Sequence, residues 1–268
     1  MVITFLSDFG LQDGFVGTCH GVIKRIAPEA EIIDITHGIP PQHVLQGALV
    51  LNNTLPYMPE GVHLAVVDPG VGGQRRPLAL RTGEGRLLVG PDNGLLVPAA
   101  EGNGGIAVAH ELANPEYALE SVSRTFHGRD LFSPAAAHLA CGVAIEELGP
   151  PVDPQALVRL DVPKAEVGQN RIRATVLYVD RFGNTQLNLT RADLEQAQVL
   201  PGVRVELELA LERYYAVAAR TFADARPGEV ILYEDAYRNI SIAINGGSAA
   251  ELFGVAAGQE VRIHLRTP

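Results

Sequence analysis

The chain has 268 residues, 47% of them hydrophobic, with a formal net charge of −10 and a pI near 5.3. That apolar content supports real cores and excludes a disordered chain, while the lack of any basic block argues against nucleic acid, which needs a positive footprint, and against an anionic membrane surface. There is no long uninterrupted apolar run and no basic-then-apolar leader pattern, so neither membrane spanning nor secretion is expected and the expected setting is cytoplasmic.

In chain order, Val2–Phe5 reads as a buried strand, and Phe15 to Ile26 carries apolar residues at helical spacing before Pro28. Glu31–Ile35 is a second strand. A helix follows from about Gln42, with Val44, Leu45, Ala48, Leu49 and Leu51 inward, and ends near Pro56; Val62–Val67 is a third strand. This alternation predicts an α/β unit with a mostly parallel sheet flanked by helices. Further strands are expected at Leu78–Arg81, Leu87–Val89 and Ile106–Ala109, and a helix over Ser133–Cys141. Cys19 and Cys141 fall in helix-like segments far apart, and both are expected to be buried small hydrophobes rather than disulfide partners or metal ligands.

The proline-rich passage at 148–154 marks a change of composition, giving an α/β domain over 1–150, a linker over 151–163 and a second domain over 164–268. There, strand patterns at Ile172–Val179, Gln186–Leu189, Val203–Leu209, Tyr215–Ala219, Val230–Tyr233, Ile240–Ile244 and Val261–Leu265 are separated by short turns. A short polar helix over Arg191–Gln196 interrupts them. This spacing predicts an antiparallel, β-barrel-like domain.

Ligands on such parallel sheets sit beyond the carboxyl ends of the strands, and three turns there carry the chemistry. The first is Ser7-Asp8-Phe9-Gly10, where a carboxylate can hold a ribose diol. A helix cap is the plainer role and suits the nearby Asp13 better. The second runs from Val66 through Asp68-Pro69-Gly70 to Arg75, a constrained backbone of the kind concentrated at sites. Arg75 and Arg76 are adjacent, so at most one faces inward; paired with Asp68 in a cleft, it would keep the acid ionised and orient a polar reactant. The third is Thr125-Phe126-His127-Gly128-Arg129-Asp130, where Gly128 leaves space beside the histidine ring. His138 reads as packed, and His20, His43, His63, His110 and His264 carry no local signal. A divalent ion on Asp8, Asp68, Asp92 and His127 is an alternative reading, without a compact ligand signature. Gly90-Pro91-Asp92-Asn93-Gly94 reads first as a turn, with its amide available to a cleft wall. Asp180-Arg181-Phe182-Gly183-Asn184 is either a plain hairpin loop or a site where Asn184 reads a purine edge.

Ser-Asp-Phe-Gly at 7–10, Val-Asp-Pro-Gly-Val-Gly at 67–72, Pro-Asp-Asn-Gly at 91–94, Thr-Phe-His-Gly-Arg-Asp at 125–130 and Asp-Arg-Phe-Gly-Asn at 180–184 together closely resemble the SAM hydroxide adenosyltransferases, or S-adenosyl-L-methionine hydrolases, relatives of the fluorinase and chlorinase. The resemblance runs from the first strand to the last. It implies attack of water or hydroxide on C5′ of S-adenosyl-L-methionine (SAM), giving adenosine and methionine, with SAM as substrate and no metal or organic cofactor. It also implies a homotrimer whose sites lie between the amino-terminal domain of one chain and the carboxy-terminal domain of the next. Asp68, Arg75 and His127 match the set that handles the water, with the proton acceptor left open between Asp68 and His127. Asp8 matches the ribose acid, Asp180 a contact to the methionine amine, Asn184 one to adenine, and Phe222 an aromatic flanking the base. Asp13, Asn93 and Phe126, with Tyr237, Ser241, Asn245 and Gly246 around the last ligand loop, complete the expected substrate-binding set. Relatives resemble Asn-Ser then Gly where this chain has Glu234-Asp235-Ala236-Tyr237-Arg238-Asn239, which puts the methionine contacts there in question. Halogenating relatives resemble a tyrosine–serine pair at His127-Gly128 and a tyrosine at Asp68, so hydroxide chemistry fits better than halide capture. The alternatives are a SAM- or adenosine-binding protein without turnover, a SAM-dependent halogenase, and a metal-dependent phosphoesterase.

Overall fold

β1 (Val2–Ser7) organises the amino-terminal half: buried from its second residue onward, it pairs in parallel on both edges, with β2 (Glu31–Thr36) and β3 (Gly61–Val66). The structure is a computed structural model that describes residues 1–209 and 212–265. The chain divides into two units, Met1–Asp161 and Val162–Pro268.

In the first unit the sheet order is β2-β1-β3-β5-β4-β6, with β4 (Pro77–Thr82), β5 (Leu87–Pro91) and β6 (Ile106–Glu111). β3 and β5 pair in parallel, whereas β4 is antiparallel to both neighbours. That reversal follows from the short turn joining β4 to β5, because only antiparallel strands can be joined so tightly. Alternation along the strands serves two cores. Ile3 and Phe5 of β1 with Val62, Leu64 and Val66 of β3 face one, and Leu6 with Ala65 and Val67 face the other. α1 (Phe15–Ile26) and α4 (Ser133–Ala140) cover the first core, while α2 (Val44–Thr54) and α3 (Val97–Glu101) cover the second. α3 has no counterpart in the sequence reading, since five residues cannot display a helical period.

α1 buries Val16, Cys19, Val22 and Ile23 and stops at Ala27 ahead of Pro28. Its cap is Gly14 without any side-chain bond, so Asp13, exposed beside it, is not the cap that was expected. Cys19 is buried as expected, but Cys141 is exposed, because it sits past the last turn of α4 where the packed face has ended. Among the described residues no helix is long and apolar enough to cross a membrane.

The second unit holds β7 (Glu166–Val167), β8 (Arg171–Val179), β9 (Thr185–Thr190), α5 (Arg191–Gln196), β10 (Arg204–Leu209), β11 (Glu212–Ala218), β12 (Val230–Glu234), β13 (Asn239–Ile244), α6 (Ala249–Phe253) and β14 (Glu260–His264). The order β14-β10-β11-β12-β13-β9-β8 closes on itself through β14 with β8, making a barrel. Alternate residues such as Val205, Leu207 and Leu209 of β10 fill the interior with Ile172, Leu187, Ile242 and Ile263. One pairing departs from the antiparallel expectation. β11 and β12 run parallel, because the connection between them crosses over through the turn at Phe222–Asp224 instead of forming a hairpin.

Candidate active site

The Asp68 loop is shaped by glycine. Gly72 has φ +74°, and a Cβ there would stand 2.2 Å from the Arg124 carbonyl oxygen, so only glycine lets this loop lie against the segment leading to His127. Asn93 holds the base of the loop, its Nδ2 donating to the Val67 carbonyl at 2.8 Å and its Oδ1 accepting from the Leu95 amide at 3.1 Å. Asn93 therefore positions Asp68, and both ends of its amide are engaged by the backbone.

Arg75 turns back onto Asp68. Its Nε donates to both carboxylate oxygens at 3.0 Å and its Nη2 to Oδ2 at 2.5 Å, with the two side chains only 9% and 5% exposed. The guanidinium rests 5.3 Å over the buried Phe132 ring. The same Nη2 lies 2.8 Å from His127 Nδ1. Arginine can only donate, so Nδ1 carries its lone pair and the ring proton is on Nε2. Burial and the neighbouring Arg75 both hold the His127 pKa below its ordinary value, which keeps the ring neutral. Arg76 diverges from its neighbour, bonding Asp92 at 2.9 and 2.6 Å.

His127 leads into a π-helical turn, Gly128–Phe132, which runs directly into α4. Asp130, fully buried within it, bonds Arg129 and accepts the Ser123 amide at 2.8 Å, fixing the approach to His127. Burial pushes the Asp130 pKa up, but Arg129 and Ser123 outweigh it and hold the group below the usual carboxylate value. Gly128 does not leave open space as expected. Phe9 occupies it, so that a Cβ at 128 would meet Phe9 Cζ at 2.9 Å. Phe9 in turn meets Phe126 edge-on, their centroids 5.7 Å apart.

These residues wall a cleft of about 290 Å³, in which Asp8, Phe9, Asp68, Phe126, His127 and Gly128 take part. Arg75 is not in the wall; it bonds the two groups that are. Asp8 Oδ2 accepts the Gln42 amide at 2.8 Å, where Gln42 has φ +67°, and the Asp8 carboxylate makes no other hydrogen bond among the described residues. One carboxylate oxygen is thus left for a ligand. Asp13 is exposed on the preceding loop and does not line the cleft. The metal set of Asp8, Asp68, Asp92 and His127 is not assembled: Arg75 takes Asp68, and Asp92 is taken by Arg76 and the Val158 amide at 2.9 Å.

In the second unit, Asp180 accepts the amides of Phe182 and Asn184 at 2.8 and 2.9 Å and the Asn184 Nδ2 at 2.8 Å. The pair therefore shapes its own turn, with Asn184 Oδ1 remaining for a ligand. Gly183 is required there, because its Cβ would fall 2.0 Å from Ser248 Oγ. Phe222 is 37% exposed and packs at 5.0 Å on Tyr233, and Asn245 props its turn by donating to the Phe222 and Ala225 carbonyls at 3.1 and 2.8 Å. Tyr237 is exposed, and Gly246 lies in an exposed turn at φ +81°. Ser241 is buried and donates to Asp235 Oδ2 at 3.0 Å. Sequence reasoning missed Asp235 as an anchor: it also accepts Gln186 Nε2 at 2.7 Å and the Tyr237 and Asn239 amides at 2.8 and 3.1 Å. The loop that departs from the family pattern is therefore well braced. An aspartate followed by Ala-Tyr-Arg-Asn is an Asx-turn signal that would have found it.

Comparison with known proteins agrees across the chain. Residues 3–149 match the SAM hydroxide adenosyltransferase N-terminal domain and residues 174–262 the C-terminal domain of the same family. A protein of Salinispora arenicola named (R)-S-adenosyl-L-methionine hydrolase is 49% identical over 261 residues, covering 97% of each chain. A fluorinase of an Actinoplanes species is more distant, at 28% identity over 98% of this chain and 97% of its own. Among solved structures, an uncharacterized conserved protein from Thermotoga maritima superposes with a TM-score of 0.90 at 36% identity, covering 98% of this chain and 99% of that one.

Proposed function

This chain belongs to the SAM hydroxide adenosyltransferase family, and from that premise we propose that it is an S-adenosyl-L-methionine hydrolase, forming adenosine and L-methionine by attack of water on C5′. The observation that carries the reading is the Asp68–Arg75–His127 chain, which presents a carboxylate and a neutral imidazole to the cleft that also holds Asp8.

The sulfonium of SAM leaves as a neutral thioether and needs no acid. The protein must align a water with the C–S bond at a near-attack distance of about 3–3.5 Å. With Nδ1 occupied, His127 offers its Nε2 proton and can hold the water oxygen without taking its proton. Asp68 then accepts that proton as the bond to C5′ forms, and Arg75, bonded to both, holds the carboxylate and the imidazole in place around the water. The Asp68 carboxylate would also repel a halide ion, which favours water as the nucleophile. No metal or organic cofactor enters this scheme. The chain's net charge of −10 suits attraction of a cationic substrate.

The cleft's about 290 Å³ sits at the lower end for a small-molecule site, enough for the reacting sugar and its water. Adenine and methionine fall to Asn184, Phe222 and Asp180 in the second unit, with Tyr237, Ser241, Asn245 and Gly246 near them. We place these opposite the cleft of another chain in a homotrimer; sedimentation checks the trimer, and mixing inactive Asp68→Asn chains with inactive Asp180→Ala chains checks the shared site by recovered activity. A cytoplasmic setting belongs to the same proposal and suits two unpaired cysteines.

Turnover in oxygen-18 water tests the reaction. Adenosine labelled at O5′, in step with methionine release, is expected. Unlabelled adenosine, or SAM bound but not consumed, would reject it.

A further inference from the structure

Away from the cleft wall, three ligand-type side chains converge where α1 meets the edge strand β2. They are His20 on α1, Asp34 on β2 and His37 just past its end. Asp34 Oδ1 stands 2.9 Å from His20 Nε2 and 3.1 Å from His37 Nε2, and the three ligand atoms lie within 4.8 Å of one another. In a tetrahedral site with metal bonds of about 2.0–2.1 Å, neighbouring donors sit about 3.3 Å apart; both Asp34 separations are within a few tenths of an ångström of that, and the two imidazole nitrogens need to close by at most about 1.5 Å.

His37 supplies an independent sign. Its side chain is 2% exposed, yet Nε2 makes no hydrogen bond, because at 3.1 Å the ring is not aligned on the carboxylate oxygen. A buried polar atom left in that state costs about 1–3 kcal/mol, and native structures rarely tolerate one without a reason. On its other side, Nδ1 is 2.7 Å from Ser7 Oγ. With the hydroxyl accepting Nδ1–H, Nε2 is left with its lone pair, the arrangement that orients metal-binding histidines. Phe5 packs edge-on against the His37 ring at 4.7 Å and holds it in place.

We propose that His20, Asp34 and His37 bind a divalent transition ion such as Zn²⁺, with a fourth position open to solvent beside the exposed carboxylate. Two imidazoles and one carboxylate favour such an ion over Mg²⁺ or Ca²⁺, which prefer oxygen. The ion ties α1 to the end of β2. From there it braces the Asp8 turn, since the His37 carbonyl accepts the Gly10 amide at 2.8 Å and Ser7 precedes Asp8. Its place is structural, and the proposal stands apart from the hydrolase reading.

Titration of the full chain with Co²⁺ and with Zn²⁺ tests it. One equivalent of Co²⁺ should bind with visible d–d bands, be displaced by Zn²⁺ and ignore excess Mg²⁺. His20→Gln and Asp34→Asn, both at partly exposed positions, should each weaken binding by at least about 100-fold, while His43→Gln leaves it unchanged. Circular dichroism confirms that the variants fold. Failure of the wild-type chain to bind, or binding retained in His20→Gln and Asp34→Asn, would overturn the site.

Discussion

Substituting Arg75 and Asp68 singly and together separates support from chemistry. The two side chains are 9% and 5% exposed and share three hydrogen bonds, so Arg75→Met strands a buried carboxylate and Asp68→Asn strands a buried guanidinium. Breaking a buried pair from one side costs about 3–5 kcal/mol, whereas removing both charges is far milder. The double variant still leaves His127 Nδ1 without its donor, worth about 1 kcal/mol. Urea unfolding of the four proteins should therefore give single losses of about 3 kcal/mol or more, a double loss of about 1–2 kcal/mol, and a coupling of at least about 4 kcal/mol. Single-turnover assays with SAM should show the reverse: all three variants fall by about 100-fold or more, and the double variant does not recover. Additive stability losses would refute the buried pairing. Recovery of turnover alongside stability would refute the role in handling water.

His127 sets a pH dependence. Its folded pKa lies below 6.5, and protonating Nδ1 breaks the bond from Arg75. Turnover should stay level above pH 6.5 and fall only as pH drops through that lowered value; an inflection above 6.5 in kcat/KM would count against the neutral ring. Gly128→Ser forces a Cβ to within 2.9 Å of Phe9, so it should cost about 1–3 kcal/mol by thermal unfolding and reduce hydrolysis. It should form no chlorinated adenosine in chloride, as chromatography of the products would show. His63, fully buried against Thr4 at 2.9 Å, has its pKa lowered to about 4 by burial and then by Arg86. The unfolded chain takes that proton first as pH falls. The contribution is thus intact above pH 6.5 and about 3 kcal/mol is lost by pH 4, which urea midpoints across that range would reveal and a His63→Gln variant would flatten.

Much of this was legible beforehand for a physical reason. α1, expected over Phe15 to Ile26, occupies those residues because an apolar stripe and Pro28 mark its course and end; in the barrel, alternation marked the strands to within a few residues. What escaped depends on contacts between distant segments. The parallel pairing of β11 with β12 is set by a crossover, and nothing local to either strand announces it. Asp68, Arg75 and His127 are nameable from motif resemblance, but Arg75 working behind the wall, and its fixing the imidazole's proton on Nε2, rest on a contact between residues 52 apart in the chain. His20 carries no signal in its own helix; only the fold brings it to Asp34 and His37.

The pairing of β14 with both β10 and β8 has a practical consequence. The final strand works as the keystone of its ring, so trimming the chain before Glu260 would bare two long rims of unmatched amide and carbonyl groups at once. Such a shortened chain should clump instead of merely softening. Purification handles and fusion partners are therefore better joined through a spacer beyond His264 than spliced into the strand itself.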